Sequence, residues 1–479
     1  MNYSMISYIL GWILNFEAGF LLLPALVAVI YKESSGGYFL VTSLISALVG
    51  FMIVRKSPKN KMFYTREGFI TVALSWIVLS VVGAVPFVIS GTIPNFIDAL
   101  FETVSGFTTT GASILSDVES LPRCMLFWRS FTHWIGGMGV LVFILSVLPL
   151  VGGHYMNLMK AESPGPSVGK LLPKVKETAK ILYGIYILLT IIQIILLLIA
   201  KMPMFDAITI SFGTAGTGGF GIRNDSLGSY TGTQQLIVTV FMVLFGINFS
   251  AYFLILFGKW RQGIKFEEVR WYLLIILVSV LLIGFDIRSL YGSLSEALHH
   301  SAFQVASIIT TTGYSTFDFN TWSSFSRSIL ILLMFIGACA GSTGGGIKVS
   351  RFVILFKTIK KEIMQFVHPR SVKRIKMDGH VIEHEVLRSV NVYMITYMLI
   401  FAISCLLISL DDFDLITNFS AVAATLNNIG PGLELVGPTQ CFALFSQGSK
   451  LVLIFDMLAG RLELFPLLLL FVPKAWKRF

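Results

Sequence analysis

Apolar residues fall in long runs separated by short polar stretches, and the runs come in two lengths. The longer ones approach the ~20 residues a helix needs to cross a bilayer. They predict spanning helices over 8–30 and 38–54, and then in four successive units: 68–92 with 125–149, 180–200 with 232–258, 270–290 with 326–362, and 388–410 with 450–472. Each unit also holds a run too short to span, at 96–107, 204–214, 295–309 and 413–426. Each short run leads into a polar, glycine-bearing stretch: SGFTTTGAS (Ser105–Ser113), SFGTAGTGGFG (Ser211–Gly221), ASIITTTGYST (Ala306–Thr316) and AATLNNIGPG (Ala423–Gly432). Irregular backbone at membrane depth is tolerated only where it is buried in protein or lines a water-filled path. The pattern predicts an all-α polytopic membrane protein with ten spanning helices. Four helix–pore-loop–helix repeats surround a pseudo-four-fold pore, preceded by two extra transmembrane helices. The divisions fall at 1–66 for the N-terminal helix pair and at 67–152, 153–262, 263–380 and 381–479 for the repeats.

One run breaks its own pattern. GACAGSTGGGIK (Gly337–Lys348) interrupts 326–362. Each glycine inside a helix costs ~1 kcal/mol relative to alanine, so Gly344-Gly345-Gly346 predicts an unwound or kinked segment; close packing of helices through small residues is the alternative. Arg461 is read as mid-helix in the last span. An intramembrane arginine is costly and faces the protein interior or a water path, and Glu463, two residues on, points to a different face. A pore-facing Arg461 is expected. Arg129, beside Trp128 and His133, is expected at the interface.

Composition agrees with a membrane protein: 55% of residues are hydrophobic, 13% are charged, and mean hydropathy is +0.79. The first run lacks a basic flank and a cleavage site, so it reads as a retained helix. The net charge of +10 could suit nucleic acid, but its placement does not. Most lysines and arginines fall in 55–66, 152–180, 259–270, 348–388 and 474–479, while Asp411, Asp412 and Asp414 lie in the alternate connections. That alternation places the basic stretches and both termini in the cytoplasm.

No catalytic constellation is visible. GTGGFG (Gly216–Gly221) matches a dinucleotide pattern but follows no strand. GSTGGGIK lacks the Gly-Lys-Ser/Thr of a phosphate loop, and Ser342 has no His–Asp pair. His133, His154, His299 and His300 read as polar or interfacial. Cys339 and Cys405 read as packing residues, and pairing of Cys124 with Cys441 is left open.

Taken in order, REGF (Arg66–Phe69), TTTGAS (Thr108–Ser113), HWIGGMG (His133–Gly139), AESPGP (Ala161–Pro166), TTTGYST (Thr310–Thr316), GACAGSTGGGIK, ATLNNIGPG (Ala424–Gly432) and MLAGRLELF (Met457–Phe465) resemble the TrkH branch of the Trk/Ktr/HKT potassium transporters. The resemblance runs from the first helix pair to the C-terminus. It implies a potassium-translocating subunit of the bacterial inner membrane, a homodimer, and a TrkA-type cytosolic nucleotide-binding partner. K+ is then the transported ion, with no cofactor on this chain. It also implies filter glycines at Gly111, Gly218, Gly313 and Gly430, with Thr109, Thr110, Thr217, Thr311, Thr312, Asn428 and Ile429 beside them. Below the filter, a gate would comprise Gly341, Ser342, Thr343, Gly344, Gly345, Gly346, Lys348 and Arg461. A KtrB-like sodium-stimulated uptake subunit is the alternative within the family, although the two extra N-terminal helices favour the TrkH branch. A cation-coupled secondary transporter would need carboxylates at the membrane midplane, whereas Glu102, Asp206, Glu296 and Asp414 read as lying near the starts of short helices at the outer face.

Overall fold

The computed structural model describes residues 1–479 except 59–63, 138, 140–174, 257, 259–260, 262, 264, 371–373 and 478–479. AESPGP, His154 and most of the basic stretch 152–180 lie outside the described residues.

Two helices, α1 (Tyr3–Tyr31) and α2 (Gly36–Val54), precede the repeats and pack on each other. Small residues let them approach closely: a Cβ on Gly50 would stand 2.8 Å from the Gly11 carbonyl oxygen, and Ser43 Oγ donates to Ala18 O at 2.7 Å. The first repeat holds α3 (Thr65–Ile89), α4 (Phe96–Phe107) and α5 (Arg123–Gly137). The second holds α6 (Val175–Ile199), α7 (Met204–Gly216), α8 (Gly232–Phe245) and α9 (Phe249–Leu256). The third holds α10 (Glu267–Asp286), α11 (Leu294–Ile309), α12 (Ser324–Phe335) and α13 (Val349–Val367), and the fourth α14 (His384–Ile408), α15 (Leu415–Leu426), α16 (Gln447–Arg461) and α17 (Phe465–Leu468). The short helices α4, α7, α11 and α15 are the re-entrant elements that the sequence predicts.

The repeats share their start signals. Asn95, Ser293 and Asp414 cap α4, α11 and α15, and Thr231, Ser323 and Ser446 cap α8, α12 and α16; each side chain accepts from a first-turn N–H that has no partner within its own helix. The α7 helix follows Pro203 instead and has no side-chain cap. Among the described residues, six helices are long and apolar enough to cross a bilayer: α1, α2, α3 and the first helices of repeats two, three and four. Their exposed positions are apolar, as at Leu44, Phe51, Ile199, Leu277 and Leu406, a surface suited to lipid. This is a multi-pass membrane protein.

The second helices of repeats two and four differ from the uninterrupted spans expected. That of repeat two turns by 90° between α8 and α9. That of repeat three unwinds between α12 and α13, as the glycine run predicts. The α16 helix stops at Arg461, so this residue is the last of its helix rather than mid-span, and Glu463 and Leu464 then take positive φ. The α5 helix is described as far as Gly137; the rest of the expected 125–149 lies outside the described residues.

The bend in repeat two persists because its freed carbonyls find donors. A helix end leaves its last carbonyls without intrahelical partners. Val243 O accepts from Tyr272 Oη at 3.2 Å, Leu244 O from Tyr252 Oη at 2.6 Å, Phe245 O from Thr343 Oγ1 at 3.2 Å, and Gly246 O from Cys339 N at 3.1 Å. Phe249 N in turn donates to Gly341 O at 3.0 Å. The bend of repeat two and the glycine-rich loop of repeat three thus satisfy each other. Between α13 and α14 lies a feature not expected from the sequence, a two-stranded hairpin of β1 (Lys376–Met377) and β2 (His380–Val381).

Candidate functional site: a four-part ring above an intramembrane loop

After each re-entrant helix the chain makes the same turn. Thr110 N, Gly218 N, Thr312 N and Ile429 N donate to the carbonyls of Ser105, Gly213, Ser307 and Ala424, five residues back, at 2.8–2.9 Å. The residues just before them, Thr109, Thr217, Thr311 and Asn428, sit at φ 55–58°, and the residues just after, Gly111, Gly219, Gly313 and Gly430, at φ 79–100°. This is a left-handed helix stop. Three of its left-handed positions hold β-branched threonine, which is disfavoured there.

The repeats therefore align through backbone geometry, and repeat two is shifted by one residue from the sequence reading. Gly219, not Gly218, takes the glycine position, and Gly218 corresponds to Thr110, Thr312 and Ile429. Gly111, Gly219, Gly313 and Gly430 all open onto one cavity, which Ser113, Asn224 and Gln440 also line.

The four turns close into a ring. A Cβ on Gly111 would overlap the Gly218 carbonyl oxygen, one on Gly219 that of Thr312, one on Gly313 that of Ile429, and one on Gly430 would approach that of Thr110. Each glycine is needed for its φ and, independently, for the neighbour's carbonyl that presses against it.

Behind the ring the side chains are unequal. Thr108 Oγ1 meets Thr110 Oγ1 at 2.8 Å, and Thr310 Oγ1 meets Thr312 Oγ1 at 2.7 Å. In repeat four, Asn428 Nδ2 donates to Thr110 Oγ1 at 2.9 Å and to Met457 O at 2.8 Å. Repeat two has glycines, Gly216 and Gly218, where repeats one and three have threonines. The His133 ring fills that space: it lies where a Gly218 Cβ would go and packs on Phe220 at 4.3 Å between ring centroids. His133, read from the sequence as a polar or interfacial histidine, is fully buried.

Arg129 and Glu102 also depart from expectation. Both are buried, and Arg129 Nε donates to Glu102 Oε1 at 2.8 Å. Glu102 also accepts from Ser113 Oγ and from Ile114 N, both at 3.0 Å. Arg129 Nη1 reaches Gly221 O in repeat two at 3.2 Å, and its guanidinium lies 4.1 Å from the Phe220 ring centre. The pair ties the chain that leaves the first ring segment to the one that leaves the second. Sequence reading missed it because the partners are 27 residues apart. Asp206, Glu296 and Asp414 do lie at helix starts. At the rim of that cavity, the Asn224 side chain donates to Asp117 at 2.9 Å; with the Glu119 and Ser120 backbone N–H groups it holds that carboxyl below the ordinary range.

Below the ring lies the glycine-rich loop. Its two legs pair through Gly337 N to Ile347 O at 2.7 Å and Val349 N to Ala338 O at 3.2 Å. Its tip touches the ring: Gly345 N donates to Thr311 Oγ1 at 2.7 Å, and a Cβ on Gly345 would stand 2.9 Å from Asn427 O. Lys348 Nζ folds back to Gly344 O and, at 2.9 Å, to Gly345 O. Arg461 donates to Thr343 O in this loop at 2.9 Å and to Gly136 O and Gly137 O in α5. Its guanidinium thus bridges repeat three to repeat one. Glu463 pairs with Arg351 instead. Cys339 is buried in the loop, and Cys124 and Cys441 are free thiols. His299 and His300 contact separate partners, Gln235 at 2.8 Å and Thr316 at 2.9 Å.

The profile of TrkH, described as a cation transport protein, matches residues 38–478. The Trk system potassium uptake proteins TrkH of Salmonella typhimurium and of Escherichia coli K12 are each 38% identical to this chain, over 100% of both chains. The E. coli protein TrkG is 35% identical over 99% of this chain and 98% of its own length. The crystal structure of the potassium transporter TrkH from Vibrio parahaemolyticus superposes with a TM-score of 0.89 at 36% identity, covering 100% of both chains.

Proposed function

The chain belongs to the TrkH family of cation transport proteins, and on that premise we propose that it is the potassium-translocating membrane subunit of a Trk-type uptake system. It is a transporter, not an enzyme. Potassium enters from the outer cavity and exchanges its water for the carbonyls around Thr109, Thr110 and Gly111, Thr217, Gly218 and Gly219, Thr311, Thr312 and Gly313, and Asn428, Ile429 and Gly430. Rings of backbone carbonyls are a known means of replacing an ion's hydration shell. The observation that carries this reading is the ring itself, in which every glycine abuts the carbonyl of the next repeat. The intramembrane loop and Arg461 form the gate below. At an effective dielectric of ~20, two unit charges ~4 Å apart repel by about 4 kcal/mol, so a guanidinium beside the path slows a cation while the loop blocks it by size.

The repeats follow the divisions given above. The charge alternation supports termini on the cytoplasmic side, and in this reading the membrane is a bacterial inner membrane. A second copy and a TrkA-type regulatory subunit complete the assembly. Flux of potassium, rubidium and sodium in liposomes holding the purified chain tests the reading: potassium and rubidium should pass and sodium should not. Equal sodium flux overturns it.

Cation-coupled transport is the second reading, and one observation favours it. Asp456 is buried within α16 and accepts from Ser404 Oγ at 2.7 Å, a carboxylate inside the membrane rather than at its outer face. If coupling operates there, Asp456→Asn abolishes any dependence of potassium flux on a proton or sodium gradient. Flux that ignores both gradients in the unmodified protein rejects it.

A further inference from the structure

We propose that Glu268 is the clasp that holds the intramembrane loop closed, and that the hairpin β1–β2 operates it from the cytoplasmic side. The proposal rests on reading that loop as a gate. Glu268 lies in the first turn of α10 and is 4% exposed. Its Oε1 accepts from Ala340 N at 2.7 Å and from Ser350 N at 3.0 Å. These two donors flank the loop: Ala340 precedes Gly341, and Ser350 is in the first turn of α13. One carboxylate oxygen therefore pins both legs, and it caps α13 from a different helix, where a negative charge is favoured. Besides this bond, the legs are joined by the two backbone pairs at Gly337 and Val349, and Lys348 folds back to the tip at Gly344 and Gly345.

The next residue back carries the connection outward. Glu267 N, at the start of α10, donates to Asp378 Oδ1 at 2.7 Å. The Glu267 carboxylate pairs with Lys357 Nζ at 2.6 Å, and the same Nζ donates to Lys376 O at 2.7 Å. Asp378 and Gly379 form the two-residue turn of the hairpin, both at positive φ (51° and 82°). That is the stiff turn preferred by two-residue hairpins, so Asp378 is presented by a rigid element. Two caps then act in series: Asp378 on the start of α10, and Glu268, one residue further on, on the start of α13. A pull on the hairpin shifts the first turn of α10 and withdraws the acceptor from both legs of the loop. Glu268 touches no ion in this scheme and is a positioning residue.

The experiment uses the full chain in liposomes without a regulatory partner, with Glu268→Ala, Glu268→Gln and Asp378→Ala beside a deletion of Gly344–Gly346. Hydrogen bonds to charged groups are the stronger kind, so Glu268→Ala should raise basal potassium flux by about tenfold. Glu268→Gln, which keeps one carbonyl acceptor, should fall between Ala and the unmodified protein. Potassium-over-sodium selectivity should not change. Hydrogen exchange at the Ala340 and Ser350 amides should quicken in Glu268→Ala and in Asp378→Ala, a readout independent of flux. If the loop deletion raises flux and Glu268→Ala does not, the clasp is wrong and the gate stands. If the deletion itself leaves flux unchanged, the gate reading fails and takes the clasp with it. Unchanged exchange at both amides in Asp378→Ala removes the hairpin from the scheme, and a lower melting temperature with unaltered flux per folded molecule makes Glu268 purely structural.

Discussion

Gly430 in the fourth repeat stands against the carbonyl oxygen of Thr110 in the first, at a distance that would leave a Cβ only 2.7 Å from it. This contact closes a ring whose other three joints are tighter. Any side chain at Gly111 or Gly313 must displace the neighbouring backbone carbonyl. Gly111→Ser and Gly313→Ser should therefore lower potassium-over-sodium discrimination in liposome flux while the protein still purifies intact. Unchanged selectivity in both variants would falsify the filter assignment.

The one-residue shift in repeat two has its own test. A Cβ on Gly218 would meet the His133 side chain, whereas one on Gly219 would meet the backbone of Thr312. Gly218→Ala should impair transport, and adding His133→Ala should restore much of it by opening the space. The same second change should do nothing for Gly219→Ala. Rescue of both variants, or of neither, would show that the alignment is wrong.

The buried pair of Arg129 and Glu102 predicts a stability effect. Removing one partner of such a pair costs about 3–5 kcal/mol, because the other charge is left buried alone. Arg129→Ala should markedly lower the melting temperature in detergent. Arg129→Met combined with Glu102→Leu should lose less than Arg129→Ala alone. Equal losses would mean that packing, and not the charge pair, dominates at this position.

Arg461 donates to carbonyls in both the loop and α5, so its removal frees the loop as well as taking away a charge. Arg461→Ala and the deletion of Gly344–Gly346 should each raise basal potassium flux and leave selectivity intact, since the ring is untouched. A stable Arg461→Ala protein with unaltered flux would end the gating role.

The basic face of α13 is a candidate dock for a regulatory subunit, but its lysines are not equivalent. Lys357 is engaged with Glu267, and Lys361 lies 3.8 Å from Glu362, while Lys360 is exposed. Lys360→Glu should weaken co-purification with a TrkA-type subunit without disturbing the fold. Lys357→Glu should disturb the α10 start as well, visible as faster exchange at the Glu267 amide. Full co-purification with Lys360→Glu would move the dock elsewhere, and anionic lipid would then be the better partner for these charges.

The sequence made the first helix of each repeat legible, because each needs only length and an apolar outer face. It also exposed the loop at Gly344–Gly346, since three glycines contradict a helix locally. The breaks after Phe245 and Arg461 were not legible. The first depends on hydroxyls of Tyr252 and Tyr272 and on the loop of another repeat, partners that no local pattern records. Repeat two was misaligned because Gly218 and Gly219 are adjacent and look alike. Counting from the polar residue instead, Thr217 against Thr109, Thr311 and Asn428, would have found the right glycine. Arg129 looked interfacial beside Trp128 because its carboxylate lies on a different helix.

The bond between Phe249 and Gly341 has a consequence for how this protein is made. When the ribosome has delivered residues 232–256 to the bilayer, the loop that accommodates their bend has not yet been synthesised. Bare carbonyls cannot face lipid, and Phe245 O and Gly246 O find their donors at Thr343 and Cys339 in the later loop, so the bend at Gly246 should complete only once residues 337–348 arrive. A chain truncated between repeats two and three should therefore be cleaved faster near Gly246 than the full chain, by proteolysis in membranes.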